Sequence, residues 1–408
     1  MREASTTTSK FLESLKPWLE EAARPRPGEP SDISTQRSQA ADSFLHQGLP
    51  DRTWESWRNS DPSFLWESDL PLDATVSFET VSVPRGVEIQ DPDSTAFHDE
   101  GTPGSLLLEG RPLEALQAAL SANRLLVRVP KGLCPAEPLV IRHRLPDRPM
   151  LQLPTLLLRV EEGARLQVRL EHVGGAPGSW SLPVLRGFIG KDATVIWTES
   201  HDQDPEAVQI LVHEMRLRER AVFEENILLR GGRWIRHDLR VLLQGLGARA
   251  TLKGLTLARG GQHIDLHTFV DHAVPDASSE QVFKGLVGGK ATLVYNGQVL
   301  VREGASGTDA RQVNRNLVLT DEALVFSQPR LEIYNDDVRC THGSATGPLE
   351  EGLVFYLCSR GIGETEARRM LMEAFVGEVL GTAEAADLRG RVTRWMDAKE
   401  DGQEVSHG

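Results

Sequence analysis

The chain has 408 residues, 39% hydrophobic and 25% charged, the composition of a soluble globular protein with room for two or three structural units. Its 45 Lys and Arg against 59 Asp and Glu leave a net charge of −14, which argues against a protein that grips nucleic-acid phosphates. Three cysteines are too few for a disulfide-stapled secreted fold, the N-terminal residues carry no secretory signal, and no apolar run approaches ~18 residues, so a cytoplasmic protein with no membrane contact is expected.

Three regions are predicted: an N-terminal helical region over 1–122, a β core over 123–347 and a C-terminal helical region over 348–408. In KFLESLKPWLEEAA, the residues Phe11, Leu15, Trp18, Leu19 and Ala22 fall on one helical face, and Pro17 is expected to kink or split that helix. RPRPGEPSD reads as a loop, SQAADSFLHQG as a second short helix, and RPLEALQAALSANR as a third. Between the last two, Trp54, Trp57 and Trp66 sit among turn residues and are expected to pack this region against something larger.

From Leu125 to about residue 340 the pattern changes to short alternating runs such as LLVRV, LVIRH, LQVRL, TVIWT, LRVLL and TLVYN, separated by Gly, Asp and Pro turns. Nothing long enough for a crossover helix lies between them. A turn residue followed by an alanine and a strand recurs at Ala164, Ala193, Ala221, Ala248, Ala291 and Ala323, in steps of 29, 28, 27, 43 and 32 residues. Hairpin meanders turn more often than that, whereas one coil of a β-solenoid leaves such a period, so the fold class is mainly β with a β-helix core. The helical flanks would cover the ends of the solenoid. After the core, GETEARRMLMEAFVGEVLG reads as an amphipathic helix with Ala367, Leu371, Ala374 and Phe375 on one stripe and Met370 and Met372 beside it, a face suited equally to a docking partner or to the chain's own core. KEDGQEVSHG reads as a frayed tail.

Nucleotide-like patterns fail on spacing. GLVGGKAT is one residue short of a phosphate loop and has Ala291 where Ser or Thr would hold magnesium, while GLGARA at Gly245 lacks a following helix. In GGQHIDLHTFVDH, strand alternation puts His263, Asp265, His267 and Asp271 on one face, a row that suits either a metal or a solvated outer surface. In LEIYNDDVRCTHG, alternation along one strand puts Glu332, Tyr334, Asp336, Val338, Cys340 and His342 together. A thiol and an imidazole two residues apart can co-ligate a soft metal or an iron–sulfur unit, but two ligands do not close a site, and a buried cysteine beside a hydrogen-bonded histidine explains the pair as well. Asp336 and Asp337 point to opposite faces on a strand and so cannot flank one glycosidic bond, which weighs against the alternative of a β-helix enzyme acting on a carbohydrate or small anionic substrate.

The run LEIYNDDVRCTHGSATGPLEEGLVFYLCSRGIGETEARRMLMEAFVGEVL, with DLHTFVDHAVPDASSEQVFKGLVGGKATLVYNGQVLV upstream, resembles the SufB/SufD scaffold family of the SUF iron–sulfur cluster assembly system, on its SufD side. The resemblance implies a right-handed parallel β-helix between helical regions and a scaffold subunit rather than an enzyme. It implies pairing with a SufB-like subunit, docking of a SufC-like ATPase on the C-terminal helical region through Met370, Leu371 and Phe375, and a transient cluster or iron at the subunit interface, held by Cys340 and His342 with ligands from the partner. Homodimer and monomer both remain open for the isolated chain. Asn335, where the family usually has a small residue, and Cys358, where it has no cysteine, depart from the pattern.

Overall fold

A computed structural model describes residues 9–22, 24, 31–73, 77–90, 110–121, 124–380 and 386–397. The loop read in RPRPGEPSD falls largely, and the tail KEDGQEVSHG wholly, outside them. Helices α1 (Lys10–Ala22), α2 (Ser31–Gln47), α3 (Ser63–Trp66) and α4 (Pro112–Leu120) precede the core, and α5 (Glu351–Ser359), α6 (Glu364–Leu380) and α7 (Ala386–Asp397) follow it. The core is a parallel β-helix of about eight turns, whose strands alternate between a 12-stranded and a 9-stranded sheet. Each later coil contributes one strand to each sheet, while in early coils the larger-sheet pass is split, as at Trp180–Ser181 and Val184–Ile189, both of which pair with Val208–Leu217. Thr194–Gln203, for example, pairs in parallel with Arg165–Gly174 on one side and Val222–Leu229 on the other.

Alternation explains the packing. Along Arg165–Gly174 the residues Leu166, Val168 and Leu170 are almost wholly buried and point into the space between the sheets, in one continuous core that runs on through Leu217, Val241, Ile264 and Val270 of later coils. At one corner of each coil a residue in the left-handed region precedes a buried alanine: Gly163–Ala164, Asp192–Ala193, Arg220–Ala221, Gly247–Ala248 and Asp276–Ala277. The left-handed residue turns the chain, and only a small side chain fits the inside of the bend. The steps between these alanines are 29, 28, 27 and 29 residues. The long step read from the sequence arose because Ala277 was passed over and because Ala291 and Ala323 precede strands of the other sheet. Gly245 is explained by the same stacking, since a Cβ there would sit 1.9 Å from the backbone nitrogen of Glu219 in the preceding coil.

The ends of the β-helix differ. At the start, Phe78–Ser82 and Glu88–Gln90, both inside the stretch read as helical, pair antiparallel with Leu139–Leu145 and Arg124–Val129 and cover the first edges. The helices lie on the flank of the larger sheet: Phe11, Leu15, Leu19, Phe44, Leu116, Trp57 and Trp66 pack with Trp180, Ile210 and Trp234. Trp57 stacks on Trp234 at 6.1 Å, so the tryptophans attach the N-terminal region to the core. Helix α1 runs unbroken through Pro17, because the buried stripe Phe11, Leu15, Leu19, Ala22 continues past it. Trp18, expected on that stripe, is exposed. On the smaller sheet, Leu228, Leu255, Val282 and Leu286 receive Val376 and Val379 of α6 and Leu388, Val392 and Trp395 of α7. No helix among the described residues is long and apolar enough to cross a membrane.

One interior group sets a pH response. Burial lowers His272 from 6.5 to about 4, against the opposing influence of Asp271 and a backbone hydrogen bond at Ala277, and its Nε2 lies 2.9 Å from Ser279 Oγ. The unfolded chain therefore binds the extra proton between these values. Stability present above pH 6.5 falls as pH drops toward 4 and levels below it, by about 3 kcal/mol from this residue. Urea unfolding as a function of pH should show that loss in the native chain, and His272→Leu should remove a comparable part of it.

Candidate functional site

The last coil is built from Leu324–Ile333 in the larger sheet and Val338–Pro348 in the smaller, and among the described residues neither strand has a neighbour on its outer side. The chain passes between them at Tyr334–Asp337, where Gly307 N–H donates to Asp337 O at 2.8 Å. LEIYNDDVRCTHG is thus two strands and a corner rather than one strand, and Glu332 does not share a face with Cys340. Glu332 instead accepts from Gln298 on the larger sheet at 2.9 Å. Asp336 and Asp337 are exposed corner residues.

Cys340 and His342 lie on the same face of Val338–Pro348, in register with Ala310 and Gln312, which are fully buried one coil earlier. Cys340 is half-buried and packs with Val299, Val301, Ala305, Ala310, Leu331 and Val338, whereas His342 is exposed. The two side chains therefore continue an inward-facing ladder into a cross-section that no described strand extends. The rest of that cross-section is mixed: Ile333 and Tyr334 are exposed, Ser327 Oγ and Ser344 Oγ lie 2.7 Å apart, and Asn316 donates to Thr346 Oγ1 at 3.2 Å. Burial pushes the Cys340 thiol above its ordinary value, Asp309 adds to this, and the hydrogen bond from the Ala310 backbone only partly offsets it. A thiol so placed is protonated at neutral pH until a cation or base joins it. Among the described residues no third ligand completes a metal-sized group with this pair. Cys358 sits half-buried on α5 and Cys134 is exposed in a turn before Leu139–Leu145.

The C-terminal residues divide between two faces. Phe375 packs against the smaller sheet, where Lys284 Nζ lies 4.6 Å from its ring centre and donates to its carbonyl at 2.6 Å. Leu371 and Met372 are half-buried, and Met370 points outward. Leu353, Phe355 and Tyr356 of α5 are also exposed, and Arg368 ties α5 to α6 through both oxygens of Glu351 at 2.9 Å. This leaves an apolar surface on the α5–α6 pair that sequence reading placed on α6 alone.

The His263–Asp271 row is an internal network. Ile264, Leu266 and Val270 face inward as alternation requires. Asp265 is fully buried under the N-terminal region, 2.9 Å from both Arg236 and His267 Nε2, and Arg302 holds Asp271 with two 2.8 Å bonds. Burial raises the Asp265 carboxyl, but His267 and Arg236 outweigh this and hold it below the usual range. The Arg236 guanidinium, one coil earlier, already neutralises the Asp265 carboxylate that a cation would need.

Sequence reading missed a set of histidines inside the β-helix. His143, His172 and His201 occupy paired positions on three successive coils, all without exposure. Their spacing of 29 residues, one coil, was the available signal. His213 and His237 face them from the other sheet, with Glu199 between.

Residues 143–375, more than half the chain, match the SUF system FeS cluster assembly, SufBD core domain. An iron–sulfur cluster assembly SufBD family protein of Mycobacterium bovis is 36% identical over 68% of this chain and 72% of its own length. The iron–sulfur cluster assembly protein SufD of Escherichia coli is 27% identical over 85% and 88%, and the chloroplastic protein ABCI7 of Arabidopsis thaliana 25% identical over 93% and 89%. The match spans the coils that stack toward the bare end and the strand bearing Cys340 and His342, and the chain belongs to the SufBD family of iron–sulfur cluster assembly proteins.

Proposed function

We propose that this chain is the SufD-like scaffold subunit of an assembly complex, pairing end to end with a SufB-like subunit so that a transient cluster or iron forms between them on Cys340, His342 and ligands of the partner. The observation that carries this reading is the uncovered last coil: its two edge strands offer unpaired backbone groups, and its thiol and imidazole stand together in the same opening. Unprotected parallel edges invite another chain to continue the sheets, and a site with two protein ligands needs others from outside. The raised Cys340 thiol fits transient holding, because a desolvated thiol becomes a ligand only when an incoming cation or base takes its proton.

The exposed surface of α5 and α6 is proposed as the dock for a SufC-like ATPase, whose hydrolysis cycle would move the subunit interface through α6. Phe375 supports α6 from beneath, so the test uses the outward residues. Met370→Glu with Phe355→Glu is expected to abolish capture of the ATPase while leaving the circular dichroism of the chain unchanged, and retained capture would refute that face. The pairing itself is tested by co-expressing the tagged chain with SufB-like and SufC-like subunits and weighing the purified assembly by native mass spectrometry. A fixed-ratio complex is expected. A monomer or homodimer with both candidates present and unbound would overturn the proposal.

A further inference from the structure

We propose that the interior of the β-helix holds one divalent first-row transition-metal ion, bound by Glu199, His213 and His237. This site is separate from the open end and does not rest on the function proposed there. Glu199 lies on Thr194–Gln203 of the smaller sheet, and His213 and His237 lie on Val208–Leu217 and Trp234–Leu243 of the larger, so the three side chains converge across the lumen. None is exposed to solvent, and their ligand atoms lie within 4.8 Å of one another.

The polar atoms there are left without partners in a way that calls for an ion. Both ring nitrogens of His213 and of His237, and both carboxylate oxygens of Glu225, are buried without a hydrogen bond of acceptable geometry. Such groups are costly to leave unpaired, and two buried carboxylates in one lumen more so. Among the described residues only histidines face Glu199 and Glu225 at ion-pair distance. A dication among two imidazoles and a carboxylate answers both deficits, and that donor set suits zinc or ferrous iron rather than calcium or magnesium.

The spacing is close to what such an ion needs. Bonds of about 2.1 Å in a tetrahedral arrangement put ligand atoms roughly 3.4 Å apart. Glu199 Oε2 is 3.6 Å from His213 Nδ1, Glu199 Oε1 is 4.0 Å from His237 Nδ1, and one ligand atom from each residue lies within 4.8 Å of the others, so side-chain shifts of about 1 Å close the set. The surrounding groups orient the carboxylate: Trp197 Nε1 donates to Glu199 Oε2 at 2.9 Å, and His172 and His201 approach its Oε1 at 3.1 and 2.8 Å. His172 and His201 also meet Glu199, through Nε2 at 3.1 and 2.8 Å, but with Nδ1 bonded to His143 or Gln209 both rings are already satisfied by hydrogen bonds, whereas His213 and His237 have none and are the open pair.

Enclosure makes the test direct, because an ion trapped during folding should resist chelators. The full chain is produced in medium supplemented with iron and zinc, incubated with EDTA, desalted and analysed by inductively coupled plasma mass spectrometry. The native chain and Cys340→Ala/His342→Ala should each keep about one equivalent, while His213→Gln/His237→Gln, folded by circular dichroism, should keep less than about a tenth. A folded native chain without metal, retention in the histidine variant, or loss in the Cys340 variant would overturn the assignment. X-ray absorption at the metal edge of the native chain decides the matter even if the histidine variant does not fold. Imidazole scattering with no sulfur neighbour is expected, and a sulfur shell near ~2.3 Å would place the ion elsewhere.

Discussion

Cys340→Ala is expected to reduce cluster formation on the reconstituted complex by about tenfold or more, given that even outer partners of metal ligands act on that scale. The measurement is the visible absorbance that develops when the purified assembly is supplied anaerobically with ferrous iron and a sulfur source. His342→Ala should act in the same direction. Neither change should unfold the chain: His342 is exposed, and Cys340 is only half-buried at the rim of the last coil, so the melting temperatures should stay close to that of the native chain. This separation matters because a cysteine packed against Val301 and Ala310 for structural reasons alone would show the opposite pattern, with stability lost and cluster assembly kept. A Cys340→Ala complex that assembles clusters at the native rate would remove the ligand role and leave the scaffold role standing.

Introducing carboxylates into the open cross-section should separate the subunits. Ile333 and Ser344 are exposed at the last coil, one on each sheet, and Ile333→Glu with Ser344→Glu places two charges where a partner coil would exclude water. A buried unpaired charge at an interface costs about 2 kcal/mol or more, so the pair should weaken association at least ~100-fold. Isothermal titration of the isolated chain with a SufB-like subunit would read this directly. Far-ultraviolet circular dichroism should remain unchanged, since both residues sit beyond the packed coils. Undiminished affinity would mean that the subunits meet through some other surface.

The strand alternation of LQVRL and the alanine period survive in the folded chain because both report on a two-sided sheet and a tight corner, which are properties of a few neighbouring residues; TVIWT is a strand but is buried on both faces. The pairing of Cys340 with His342 is equally local, being two positions on one strand. The break at Tyr334–Asp337 was invisible to alternation, because a solenoid corner can pass from one sheet to the other without losing the apparent period. Met370 and Phe375 are five residues apart on one helix yet face opposite ways, one toward solvent and one onto Lys284 of another element.

By itself, the sequence determined the class of fold, the coil length, the helical flanks and the cysteine–histidine strand, since each is written in spacings shorter than one coil or in its repetition. Only the tertiary structure decided which coil ends uncovered, that Asp265 is neutralised by Arg236 from the preceding coil, and that Glu199, His213 and His237 meet inside the lumen. Those outcomes depend on side chains from different coils and both sheets, whose approach is fixed by stacking register and by the distance between sheets rather than by any interval along the chain.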